Sequence, residues 1–432
     1  MLKIAVVGGG STYTPELING FIEREKQFPL DELWLMDIDE ERLNIVGQFA
    51  KRMASAKNAH FKINLCTNQQ QAIEDASYVV TQLRVGQMEA RRQDEYLGKR
   101  YGLIGQETTG VGGMAKALRT IPVILEIAKD IQELSQNAVL INFSNPSGLV
   151  TEALFRYAPE VKSVGVCNSA ITTKMEILVK LNKKLGTNFS SNQAEIKTLG
   201  LNHLTWYHGF VINGQDYWPQ IMRGIIEEQQ NSEDPYFDPD TLKYLQMFPN
   251  SYLRYYYYTK KMVQMQADWP PSRAEEVMKI ENQLLAAYKD SDLSEPPEEL
   301  MQRGGAYYST VATQLINAHY NDLNQIHVVN TRNNGAVPGW DNDWVIEIPC
   351  RVNAQGFFPI PTSPLPPECE SLIFSVKAYE KYTARAAVEG NRVAAYKALL
   401  THPLGPPADK ITPLLKDMLD INQQYLPGFS KD

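Results

Sequence analysis

Residues 2–17 read Leu-Lys-Ile-Ala-Val-Val-Gly-Gly-Gly-Ser-Thr-Tyr-Thr-Pro-Glu-Leu. Ile4–Val7 is the apolar, β-branched run that a strand buried on both faces requires, and it stops in three glycines. Thr14-Pro15-Glu16-Leu17 opens a helix, with Pro15 near the first turn, where a missing N–H is tolerated. Strand, glycine turn and helix in that order give a dinucleotide fingerprint its meaning. Gly8 permits the tight turn. Gly10 lets backbone N–H groups approach a pyrophosphate at the helix N-terminus, and Ser11 and Thr12 complete the turn. Tyr13 stands where the usual pattern has its third glycine, so a reshaped helix–strand contact is predicted. Asp37 ends a second strand, Leu33–Met36. Its carboxylate can accept from adenosine ribose hydroxyls and repels a 2′-phosphate, which favours NAD over NADP. An ordinary strand–turn–helix without a ligand accounts for the glycines, but not for the acid.

Further strands are predicted at Ser77–Leu83, Ala138–Phe143 and Val161–Val166, with a helix from Glu40 to about Lys57. Alternation of this kind predicts a Rossmann-type, doubly wound parallel sheet covered by helices. From about residue 170 the rhythm is lost. Helical stretches at 173–185, 273–290, 375–400 and 408–425 alternate with Pro- and Tyr-rich connections, and 291–298 and 359–367 read as surface loops. The expected fold class is therefore α/β: a nucleotide-binding domain over 1–168 and a mixed α+β domain over 169–432 for substrate, metal and subunit contact.

The chain has 432 residues and a net charge of -8, so a broadly basic nucleic-acid surface is excluded. It has no run of about 18 apolar residues, so no membrane span is expected. Four scattered cysteines, Cys66, Cys167, Cys350 and Cys369, show no disulfide spacing and fit a reducing compartment. The expectation is a soluble cytoplasmic protein. The Tyr- and Trp-rich stretch 205–258 hints at a subunit contact, hence a homodimer or homotetramer.

In such a sheet, ligands sit beyond the carboxyl ends of the strands. Four polar stretches fall there: 84–95, 105–113, 142–148 and 165–169. Their arginines are either a solvated helix face or donors to an anionic substrate. Asn145 precedes Pro146, so its backbone is biased to be extended and its amide can project into the cleft. Cys167 and His203 read either as core residues or as a thiolate–imidazole pair for a divalent transition metal. Only two ligands are visible, so substrate or water would complete the shell. In Ser251-Tyr252-Leu253-Arg254-Tyr255-Tyr256-Tyr257-Tyr258, a helix puts Tyr252, Tyr255 and Tyr256 on one face. These rings are core, unless a cation lowers one phenol into the range of a general base.

Taken together these segments resemble glycoside hydrolase family 4, the NAD- and metal-dependent 6-phosphoglycosidases. The resemblance is carried by GGGSTYTPEL at 8–17, RVGQMEARRQDE at 84–95, GQETTGVGGMAKALRTIPV at 105–123, INFSNPSG at 141–148 and GVCNSA at 165–170. GLNHLTW at 200–206, SYLRYY at 251–256, RGGAYYS at 303–309 and VVNTRNNGAVPG at 328–339 continue it. It implies a redox-neutral glycosidase, one of the exceptions to the two-carboxylate rule. In that route NAD takes hydride from C3, a tyrosine removes the acidified C2 proton, the C1 substituent is eliminated, water adds and the hydride returns. Carried onto this chain, the resemblance implies Cys167 and His203 as ligands of Mn²⁺ and Tyr252 as the base, the register to Tyr255 or Tyr256 staying open. It implies Glu107 as the acid that raises the basicity of that tyrosine, and Arg91, Asn145 and Arg273 as substrate-binding groups. Gly8, Gly10, Ser11, Thr12 and Asp37 match the NAD site. Asn168 occupies the place where α-specific members carry Asp, and the β-glucoside branch has Asn there. The expected substrate is thus a 6-phospho-β-glucoside, a phosphorylated disaccharide such as cellobiose 6-phosphate or an aryl analogue. The alternatives are a 6-phospho-α-glucosidase or α-galacturonidase of the same family, or a net dehydrogenase of the malate or lactate type.

Overall fold

The Leu2–Val7 run forms the first strand (β1) and every one of its residues is buried, as a central parallel strand demands. The computed structural model describes residues 1–303 and 307–429. Five more parallel strands surround β1: β2 (Leu30–Met36), β3 (Lys62–Cys66), β4 (Tyr78–Thr81), β5 (Val139–Asn142) and β6 (Lys162–Gly165). Their order is β3-β2-β1-β4-β5-β6, the doubly wound arrangement with its reversal between β1 and β4. The architecture is α/β and Rossmann-type.

The second half prolongs the same sheet. β7 (Ala194–Leu201) and β8 (Leu204–Ile212) form a hairpin, with short β9 (Gln215–Asp216) and β10 (Phe248–Pro249) beside β8. β11 (Gln325–Arg332), β12 (Val345–Asn353) and β13 (Gly356–Pro359) pair antiparallel. β11 joins the edge strand β6 through Asn330 opposite Gly165. A Cβ on Gly165 would lie 2.1 Å from Thr151 Oγ1, so only glycine lets that junction close. Helix Tyr308–Tyr320 packs on Thr14–Glu23, and Pro367–Glu389 packs on Gly110–Leu134, so the second half supplies cover for the first.

The expected strands and the long helices are found, with three differences. β3 was not anticipated, because it is a half-exposed strand with weak apolar character. The helix expected over 375–400 is two, Pro367–Glu389 and Arg392–Thr401. Gly390 ends the first at φ +64 and Asn391 caps the second by accepting from the Ala394 N–H at 2.9 Å. Apolar periodicity runs straight across that stop-and-start signal. The stretch over 408–425 is α-helical only from Ala408 to Ile421 and ends in a 3₁₀ turn over Gln423–Tyr425. Gly304, Gly305 and Ala306 of the 303–309 motif lie outside the described residues. Among the described residues no helix is long and apolar enough to cross a membrane, and all four cysteines are free. Most aromatics of 205–258 are used inside the chain. Trp206 and Tyr207 are fully buried, and Trp206 Nε1 donates to Tyr257 Oη at 3.0 Å.

One buried ion pair ties the end of the described chain to the Rossmann-type half. Arg119 donates to both carboxylate oxygens of Asp94 at 2.8 and 2.7 Å, and also to Asn422 Oδ1. Replacing Arg119 by methionine strands a desolvated carboxylate, so unfolding free energy is expected to fall by about 3–5 kcal/mol in urea denaturation. A change below about 1 kcal/mol would mean that Asp94 finds water or another cation.

Candidate active site

The carboxyl ends of β1, β4, β5 and β6 surround a cavity of about 820 Å³, in the range of ligand pockets. Gly8 sits at φ +94, and a Cβ there would lie 2.9 Å from the Gln82 carbonyl carbon and the Leu83 nitrogen. Hence the turn crosses the switch point only as glycine. Asp37 Oδ2 accepts the Gly10 N–H at 2.9 Å and Oδ1 accepts the Asp39 N–H at 3.0 Å. Burial raises the Asp37 pKa, and these two donors oppose the rise. The Gly10 N–H is thus already engaged in orienting the acid, a different use from the direct pyrophosphate approach expected of it. Thr12 is fully buried and does not line the cavity; its carbonyl accepts from Tyr288 Oη at 2.9 Å. Tyr13, in place of the third glycine, stacks on Tyr308 at 5.5 Å and lies under the Arg303 guanidinium. The missing glycine is therefore converted into a contact with the second half.

Cys167 lies just past β6, and its Sγ is 3.5 Å from His203 Nε2. His203 occupies the two-residue turn between β7 and β8 at φ +65, a left-handed conformation uncommon for a residue with a side chain. Burial pushes its pKa down to about 4, so the imidazole is neutral and keeps a lone pair for a metal. The Ser169 N–H donates to Cys167 Sγ at 3.5 Å from the start of helix Ser169–Leu185, which fixes the sulfur beside the imidazole. Sulfur and nitrogen ligands of one cation stand roughly 3.1 to 3.6 Å apart at octahedral to tetrahedral angles. The observed spacing fits a shared ion. Among the described residues no group of three His, Cys, Asp or Glu side chains is placed to hold a metal, so the other positions fall to substrate or water.

The Tyr252 ring stacks on His203 with centroids 3.9 Å apart and 6° between planes. Tyr255 is 6.0 Å from Tyr252, and both line the cavity. Tyr256 points elsewhere: its hydroxyl pairs with Thr109 Oγ1 at 2.7 Å. The shared face expected for all three fails because Ser251–Leu253 is a 3₁₀ turn before the helical turn Arg254–Tyr257, which changes the angular step. Burial and the neighbouring Cys167 hold the Tyr252 phenol above its usual pKa, with Arg91 opposing. Ionising it needs a cation.

Glu107 is buried among three cations: Arg84, Arg91 at 3.1 Å and Lys116 at 2.7 Å. Burial alone would raise its pKa, but these charges hold the carboxyl well below the usual range. Its hydrogen bonds go to the cations and not to Tyr252, so any influence on that phenol runs through space. Lys116 is pushed down to about 7 by burial and the nearby Arg84. Arg84 and Lys116 were not singled out in the sequence. The signal for Lys116 was there: it is the first charge in a helix whose opening residues, 110–121, are all buried.

Asn145, Asn168 and Arg273 line the same cavity. The Asn145–Pro146 peptide is cis, where the sequence offered only an extended bias, and Asn145 Oδ1 accepts the Ser147 N–H at 3.4 Å. Arg273 is half exposed and pairs with Glu276 at 3.0 Å. Of the residues expected at the site, Thr12 alone lies apart, while His203 sits behind Cys167 and Tyr252.

A nucleotide-type crevice that runs into a thiol–imidazole pair and a stacked phenol is the layout of a Rossmann-type enzyme. The family 4 glycosyl hydrolase model matches residues 3–183, and the model of that family's C-terminal domain matches 198–405. The chain belongs to family 4 of the glycosyl hydrolases and is a glycosidase. It is 42% identical to the probable 6-phospho-beta-glucosidase of Bacillus subtilis (strain 168), over 99% of this chain and 98% of that one. It is 37% identical to the 6-phospho-beta-glucosidase of Escherichia coli (strain K12), over 99% and 97%. The Thermotoga maritima 6-phospho-beta glucosidase solved with manganese, NAD+ and glucose-6-phosphate superposes with a TM-score of 0.91 at 37% identity, covering 98% of this chain and 99% of that one. Malate dehydrogenase from Plasmodium falciparum, at 14% identity and a TM-score of 0.53 over 90% of this chain and 99% of that one, shares the fold alone.

Proposed function

We propose that this chain hydrolyses 6-phospho-β-glucosides to glucose 6-phosphate using NAD⁺ and Mn²⁺. The juxtaposition of Cys167, His203 and Tyr252 at one end of the switch-point cavity carries this reading. When bound, the nicotinamide supplies reversible hydride storage and the cation supplies Lewis-acid stabilisation of a developing oxyanion. The chain's own groups do the rest. Cys167 and His203 hold the cation, and Tyr252 accepts the C2 proton of the sugar on its phenolic oxygen. Glu107, fixed as an anion, raises the basicity of the Tyr252 phenol through space. Arg91, Asn145 and Arg273 bind and orient the phosphorylated sugar. Gly8, Gly10, Ser11 and Asp37 receive the nucleotide, Thr12 supporting the turn from beneath.

Residues 1–168 thus carry the nucleotide together with Arg91, Glu107, Asn145, Cys167 and Asn168, and 169–432 add His203, Tyr252 and Arg273 to the sugar and metal site. Asn168, which has no acidic proton to give, favours β- over α-glucosides, and relatives with β names are 37–42% identical against 26–28% for those named as phospho-alpha-glucosidases or maltose-6'-phosphate glucosidases. Four free thiols suit the cytoplasm. The expected assembly is a homodimer or homotetramer.

Paired α- and β-nitrophenyl 6-phosphoglucosides test the reading in the presence of NAD⁺ and Mn²⁺. Release from the β substrate without accumulating NADH is expected. Preference for the α substrate moves the chain to the other branch of the family. One NADH formed per turnover makes it a dehydrogenase.

A further inference from the structure

The matched C-terminal domain ends at residue 405, yet the turn that follows helix Ala408–Ile421 reaches the nucleotide cavity through Tyr425. Arg119, buried and locked to Asp94, holds Asn422. Three residues on, Tyr425 is fixed by its N–H to the Asn422 carbonyl at 2.8 Å. Its ring becomes part of the cavity wall beside Val85 and Gly86. Gly86, at φ +78 before helix Gln87–Arg100, packs under that ring, and a Cβ there would lie 3.1 Å from it as well as 2.5 Å from Ala90 Cβ. Val123 stands one helical turn after Arg119, on the same face, and lines the cavity too.

These groups mark one end of the cavity. Asp37 and Ile38 border it from β2, and Gln87 donates to Asp39 at 3.1 Å across it. A dinucleotide whose ribose meets Asp37 carries its adenine outward past that acid. Ile38, Val85, Val123 and Tyr425 give this end apolar and aromatic surface for a purine face, while Arg42, held by Glu281 at 3.3 Å, borders it beside Asp37.

We propose that Tyr425 is an adenine-binding residue, delivered to the cofactor cavity by the Arg119–Asn422 latch. The proposal rests on the NAD reading of the cavity. A tyrosine face against a base contributes on the order of 1–3 kcal/mol, or roughly five- to hundred-fold in affinity.

The test measures binding without turnover. NAD⁺, AMP and nicotinamide mononucleotide are titrated by calorimetry into the full chain and into Tyr425→Phe and Tyr425→Leu. Leucine keeps bulk against Gly86 while removing the aromatic face, and thermal unfolding of each apo variant checks the fold. Tyr425→Leu is expected to bind NAD⁺ and AMP roughly ten-fold more weakly, with nicotinamide mononucleotide unchanged and Tyr425→Phe near the parent. Unchanged AMP affinity in a folded Tyr425→Leu, or an equal loss for nicotinamide mononucleotide, overturns the assignment while the NAD reading stands. Failure of the unaltered chain to bind NAD⁺ or AMP overturns both.

Discussion

Replacing Tyr252 by phenylalanine is expected to lower turnover of a β-linked 6-phosphoglucoside roughly 10²–10⁴-fold, the range for loss of a general base. The substitution removes one hydroxyl and keeps the ring, so the 3.9 Å stack on His203 should persist. NAD⁺ binding by calorimetry should match the parent, because the nucleotide groups lie at the other end of the cavity. The effect should fall on turnover and not on KM, since a proton acceptor stabilises the transition state more than the bound substrate. Near-parental activity would move the role to Tyr255, which faces the same cavity. Tyr256 cannot inherit it, because its hydroxyl is turned to Thr109.

Cys167→Ser is expected to abolish activation by Mn²⁺. Serine puts a neutral hydroxyl, a weak metal ligand, where the sulfur faces His203 Nε2 at 3.5 Å. Lewis-acid stabilisation is worth several kcal/mol, and at about 1.36 kcal/mol per factor of ten its loss costs on the order of a thousand-fold in rate. Calorimetric titration with Mn²⁺ separates this from a folding defect: the parent binds, the folded variant does not. Metal dependence identical to the parent would remove the ligand assignment. Oxidation of the thiol should imitate the substitution, so activity should require reducing conditions.

The nucleotide half was legible because its signals are local. A buried strand, a glycine turn and an acid at the next strand end are each a few residues long, and each depends on the backbone more than on distant partners. The Cys167–His203 pair was legible only as two residue types. Their proximity depends on His203 adopting a left-handed turn between β7 and β8, and nothing in Asn202-His203 announces that conformation. The cations around Glu107 come from three segments, so only the folded sheet shows that the carboxylate is held by Arg84, Arg91 and Lys116. Tyr256 was misplaced because a helical wheel was applied across a 3₁₀ turn. The split at Gly390 was written in the sequence as a glycine followed by a capping asparagine, but the apolar periodicity on either side concealed it.

The central claim is that a tyrosine beside the Cys167–His203 pair breaks a C–H bond at C2 of the phosphorylated sugar. Hydrolysis of a β-nitrophenyl 6-phosphoglucoside in deuterated water, followed by NMR of the glucose 6-phosphate released, tests it most directly. Deuterium at C2 is the result this site predicts. Product that keeps its original hydrogen at C2 would contradict it.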